Sequence, residues 1–134
     1  MSDPARADIV LIGAPWQSRA LLRAQLIEEG FEVLATDAWP TARGWLLSGI
    51  EPWLVIVDLQ ELANPKTVLN VLHTLLKPDR VLVLSGAATV PPTELQAFGF
   101  EVVARPIAID AIVATTSRLV EQARARAHPG PSSN

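Results

Sequence analysis

A chain of 134 residues, 49% hydrophobic and 19% charged, can bury one continuous core and has the usual size of one domain, which argues against a second. Its 11 basic and 14 acidic residues leave a net charge of -3, so no nucleic-acid partner is expected. The absence of cysteine excludes disulfides and thiolate metal sites, and the two histidines, His73 and His128, stand too far apart for a short metal-binding motif.

The opening Met1-Ser2-Asp3-Pro4 lacks the basic and then apolar pattern of a secretory signal. No apolar run approaches the roughly 20 residues needed to span a bilayer, so a soluble, cytoplasmic protein with no membrane partner is expected. Residues 1–7 read as an N-terminal extension, 8–127 as the domain and 128–134 as a disordered or loosely attached tail with two prolines and no apolar periodicity.

Taken in chain order, apolar runs recur at Ile9 to Ile12, Phe31 to Leu34, Trp53 to Val57, Val81 to Leu84 and Phe100 to Val103. Their hydrophobicity is continuous and not alternating, which predicts strands buried on both faces, as in a parallel sheet covered by helices. The segments between them carry helical spacing. Leu22 and Leu26 stand four apart in the first. In the third, Val68, Leu72, Leu75 and Leu76 follow an Asn64-Pro65 start that suits an N-cap and first helical position. In the last, Ile109, Ile112, Val113, Thr116, Leu119, Val120 and Ala123 trace one stripe, with Asp110 in the first turn and Arg124 and Arg126 in the last to match the helix dipole. Gly30, Gly49 and Gly99 fall where helix-ending glycines belong. Five β-α units result, which predicts right-handed crossovers and a three-layer α/β sandwich around a five-stranded parallel sheet.

In such a sheet ligands bind beyond the carboxyl ends of the strands. Those ends are Gly13 and Ala14, Thr36 and Asp37, Asp58, Ser85 and Gly86, and Ala104, Arg105 and Pro106. The stretch from Pro52 to Leu59, reading Pro-Trp-Leu-Val-Ile-Val-Asp-Leu, resembles the third strand of response-regulator receiver (CheY-like) domains, which ends on the phosphoacceptor aspartate. Asp8 to Ile12, Arg19 to Leu22 and Glu28 to Val33 are similar to that family's first strand, first helix and second strand. Val81 to Ala87 is similar to its fourth strand with a terminal Ser or Thr, and Ala104-Arg105-Pro106 stands where the family has Lys-Pro. The resemblance runs from Asp8 to about Ala127 and implies a flavodoxin-like sheet of order 2-1-3-4-5, with Asp58 at the phosphoacceptor position and Gly13, Ala14, Ser85, Arg105 and Pro106 around it.

The departures from the family point to a degenerate, pseudo-receiver site. Aspartyl phosphorylation in the family needs a divalent cation, because the attacking carboxylate and the phosphoryl oxygens repel. The family holds that cation on two adjacent acids after the first strand; here Gly13-Ala14 stand there. Asp37 and Glu61 would replace them only if their loops folded over the site. Arg105 replaces the family's lysine and could pair with Asp58. The aromatic expected in the fifth strand is Val102, the chain has no Tyr, and Ala63-Asn64-Pro65-Lys66 replaces the glycine after the phosphoacceptor loop.

These features predict a signalling module that works through a protein partner or a homodimer, with no catalytic residue, metal ligand or cofactor assigned. By the resemblance, its contacts involve the fourth helix, fifth strand and fifth helix, where Phe98, Phe100, Arg118 and Glu121 lie. Phe98 and Phe100 read equally well as core residues. A weakly phosphorylatable receiver using Asp58 is the alternative. A small α/β nucleotide-binding protein or enzyme is a weaker one, since only Gly13 of a G-x-G-x-x-G turn is present. Trp16 is placed near the altered cation pocket or on the surface, and Trp39, Trp45 and Trp53 at the sheet edge and second-helix surface.

Overall fold

The computed structural model describes residues 7–13, 16–85, 90–104 and 108–127. The five apolar runs form β1 (Ile9–Gly13), β2 (Val33–Thr36), β3 (Leu54–Asp58), β4 (Val81–Ser85) and β5 (Glu101–Ala104). They pair in parallel in the order β2-β1-β3-β4-β5. The helices are α1 (Trp16–Glu28), α2 (Trp39–Leu47), α3 (Pro65–Leu75), α4 (Pro92–Phe98) and α5 (Ile109–Ala127), with one 3-10 turn at Pro78–Arg80. This is the expected three-layer, flavodoxin-like architecture.

Alternation along each strand divides the core in two. Val10, Ile12, Val55, Val57, Val81 and Val83 pack toward α2, α3 and α4. Ile9, Leu11, Leu54, Ile56, Leu82 and Leu84 pack toward α1 and α5. All twelve are buried, which explains why β1, β3 and β4 read as unbroken apolar runs. The buried residues of α5 are Ile112, Val113, Thr116, Leu119, Val120 and Ala123, as its stripe predicts.

Three local expectations are corrected. β2 starts at Val33, not at Phe31. Gly30 adopts a left-handed φ of 98°, and the Gly30 N–H donates to Ile27 O at 2.9 Å while the Phe31 N–H donates to Leu26 O at 3.2 Å. That is the paired bonding of a Schellman motif, so Phe31 closes α1. Asn64 precedes Pro65 as expected, but it sits at φ 52° and its side chain makes no capping bond. The residue before a proline avoids the right-handed helical region, and asparagine tolerates the left-handed one. Its carbonyl accepts from the Val68 N–H at 3.2 Å, so the backbone starts the helix.

Trp53 is the third. It immediately precedes β3, the middle strand, and is not at the sheet edge, with the Arg80 guanidinium 5.4 Å and that of Arg124 5.9 Å from its ring centroid. Arg124 also pairs with Asp8 at 3.6 Å and Arg126 with Asp79, which ties the end of α5 to the amino end of the sheet. Phe98 and Phe100 stack with centroids 5.2 Å apart across the left-handed Gly99. Phe100 is buried and Phe98 partly so, which makes both members of the α2–α4 core and takes Phe100 out of the surface.

Candidate functional site

The carboxyl ends of the strands bring Gly13, Thr36, Asp58, Ser85 and Ala104 to one end of the sheet. Asp58 ends the middle strand, with Gly13 as its partner on β1 and Leu84, next to Ser85, as its partner on β4. Ala14, Arg105 and Pro106, the other residues assigned to this pocket, lie outside the described residues, as does the tail 128–134. The expected Asp58–Arg105 pairing falls there too.

Asp58 is 1% exposed, one of two buried polar residues recorded among the described ones. A buried carboxylate must be hydrogen-bonded or paired. The Gln60 N–H donates to its Oδ1 at 2.9 Å, the two-residue-on bond of an Asx turn. That bond starts a tight connection to α3: the Leu59 N–H donates to Leu84 O at 3.0 Å, the Leu62 N–H donates to Leu59 O at 3.2 Å, and Glu61 takes a left-handed φ of 62°. Leu59 and Leu62 turn into the core and leave Glu61 exposed. Asp58 thus has a structural task in shaping its own loop.

Gly13 is the residue whose role the sequence underreports. Its φ is 85°, and a Cβ built there would stand 2.6 Å from Asp58 O. No side chain of any kind fits at this backbone position without a shift. An isolated glycine at a strand end is a known sign of such close approach, and was available in the sequence.

The magnesium that this fold family implies does not fit the residues present. Neither Gly13 nor Ala14 has a side-chain oxygen to offer, and Asp37 and Glu61 are exposed. No group of three His, Cys, Asp or Glu side chains able to hold a metal ion occurs among the described residues. Two or more carboxylates normally offset the dehydration of so hard a cation, and Asp58 alone does not.

Ser85 lines a groove of about 350 Å³ between β5 and α4, together with Val90, Pro92, Leu95, Val102 and Ala104. Trp16 lies along the β2 edge with Trp45, 67% exposed. No helix among the described residues is long and apolar enough to cross a membrane.

No family model and no curated protein matches the sequence. Solved structures do match in fold. A response regulator receiver domain protein from Clostridium thermocellum superposes with a TM-score of 0.73 at 15% identity, over 91% of this chain and 98% of that one. A response regulator receiver protein from Sinorhizobium medicae gives 0.69 at 20% identity, over 86% and 94%. NtrX from Brucella abortus, in complex with ADP, gives 0.73 at 19% identity; the match covers 92% of this chain but 28% of the NtrX chain. The chain therefore has the receiver-domain fold.

Proposed function

We propose that this chain is an atypical receiver-like signalling module of the cytoplasm, acting by protein–protein contact without magnesium-dependent phosphorylation of Asp58. One observation carries the reading: Gly13 stands in the first cation-ligand position with its backbone closed against Asp58 O. A site that excludes any side chain there has been given over to packing. The Asx turn at Asp58 supports the same view, because the carboxylate has a use that needs no phosphate. No enzymatic activity and no nucleic-acid or membrane partner belongs to this reading.

Isothermal titration of magnesium into the protein is expected to give no saturable heat at millimolar concentration, and incubation with a small acyl phosphate is expected to give no acid-labile mass increase of one phosphoryl group. Saturable magnesium binding together with labelling, both lost in Asp58→Asn, would establish the weakly phosphorylatable receiver instead.

The working surface in this reading is the face made by α4, β5 and α5. Its centre is the groove at Val102 and Ala104, and the Arg118–Glu101 ion pair, at 3.3 Å, forms part of the polar rim. Ala104 is exposed and apolar. Ala104→Asp is expected to abolish self-association or partner capture, read by light scattering and pull-down, while circular dichroism stays unchanged. A strictly monomeric wild type that captures no partner through this face would sink the assignment.

A further inference from the structure

α3 sets a polar row toward α4. Lys66, Asn70 and His73 stand at i, i+4 and i+7, so they share one helix face, and that face lines a cleft of about 440 Å³ between the two helices. Val90 and Ala97 give the cleft apolar walls. Two cross-links bracket it. At one end Lys66 Nζ pairs with Glu94 Oε1 at 3.1 Å, and at the other the His73 ring meets that of Phe98 with centroids 5.6 Å apart. Phe98 stacks in turn on Phe100, and His73 stands edge-on to it, so the second end is a wall of three rings. Volume and lining are those of a small-ligand site, in which a few polar groups orient what an apolar wall holds.

We infer that this cleft binds a small neutral heteroaromatic molecule carrying a hydrogen-bond donor and an acceptor side by side on one edge. Size sets the first limit. Lys66 and His73 lie about 10 Å apart along the helix, a length that holds a bicyclic ring but no strand or helix of a partner protein. Charge sets the second. Lys66 and Glu94 neutralise each other, and the second oxygen of Glu94 is closed to solvent, so neither calls for a charged ligand. Asn70 supplies the orientation. Its backbone carbonyl accepts from the Thr74 hydroxyl, but its side-chain amide has no hydrogen bond among the described residues. That amide presents a donor and an acceptor in one plane, which pair with a ring nitrogen and an adjacent amino group. The body of the ring then packs on Val90 and Phe98.

The cleft and the groove at Val102 and Ala104 lie on opposite faces of α4. Glu94, Ala97 and Phe98 line the first, Pro92, Leu95 and Gln96 the second, and the buried Val90 is common to both. A substitution at the outer groove therefore leaves the cleft intact.

The test adds 2-aminopurine, a neutral ring with such an edge, to the whole chain and follows the fluorescence anisotropy of the probe and the amide NMR shifts of the protein. Saturable binding is expected with a dissociation constant of about 1 mM or tighter, the range open to a ligand of this size. The shifts should centre on α3 and α4. Benzoate and benzylammonium, aromatic but charged, should not bind. Asn70→Ala should weaken binding by about tenfold, and Ala97→Trp, which fills the cleft from its rim, should abolish it. Both positions are exposed, so the variants keep the fold, which circular dichroism verifies. Ala104→Asp should leave the affinity unchanged. The inference is overturned by the absence of saturable binding at millimolar 2-aminopurine, by shifts centred elsewhere on the chain, by equal binding of either charged ring, or by an unchanged affinity in Asn70→Ala or Ala97→Trp.

Discussion

Gly13→Asp is expected to destabilise the protein by about 2–6 kcal/mol and to create no magnesium site, although it restores an acidic residue where receiver domains carry one. Two backbone costs add. A side chain at φ 85° costs about 1–3 kcal/mol, and a Cβ set 2.6 Å from Asp58 O forces a main-chain shift that costs about as much again. The new carboxylate also faces that of Asp58 across the β1–β3 register, a like-charge pair that the buried site cannot screen. The sum is a large share of the roughly 5–15 kcal/mol that holds a domain folded. Urea denaturation of wild type, Gly13→Ala and Gly13→Asp separates the terms: the alanine variant carries the backbone cost and the aspartate variant adds the charge. Adding millimolar magnesium should not move the aspartate variant's midpoint back toward wild type, because a ligand stabilises only a state that binds it. If magnesium recovers the loss, the cation site is merely depleted and the reading of Asp58 as structural fails.

That pair of residues also marks where the sequence stops being informative about the site. Gly13 and Asp58 are visible as strand ends, and the missing acid pair is plain. What is less visible is that the glycine is required by its own neighbour, since a left-handed φ and a contact between main chains 45 positions apart show in the sequence only as an isolated glycine at a strand end. The meeting of Trp16 and Trp45 at the β2 edge is hidden for a related reason. Trp16 and Trp45 belong to helices on opposite faces of the sheet, and only the short edge strand brings their side chains to one groove. The fold, by contrast, is legible almost throughout. Continuous burial of β1, β3 and β4 writes itself into unbroken Val, Ile and Leu runs, and α5 covers the sheet with a stripe long enough to read. Ends are less legible than interiors, because a residue such as Phe31 is apolar whether it opens a strand or closes a helix.

Leu72 and Leu75 put a number on that difference between interior and end. Both belong to the apolar spacing of the third helix, and composition does not tell them apart. In the structure Leu72 is 0% exposed, packed with Val68 and Leu69 against the sheet, while Leu75 is the last residue of α3 and 37% exposed. Leu75 shares that face by angle, but it is the last residue of α3, and the chain turns to an extended conformation at Leu76 directly after it. Its neighbour Leu76, at the C-cap and partly buried, contacts the core instead. Leu72→Ala removes a side chain from a closed-packed site and leaves a cavity, at a cost of about 2–5 kcal/mol. Leu75→Ala leaves no enclosed void, and its cost should stay below about 1 kcal/mol. Chemical denaturation of the two variants, compared at equal slope, is expected to show that gap in midpoint. Equal destabilisation by both would mean that α3 is rotated on the sheet relative to the packing described, and would displace Lys66 from its 3.1 Å ion pair with Glu94 of α4 as well.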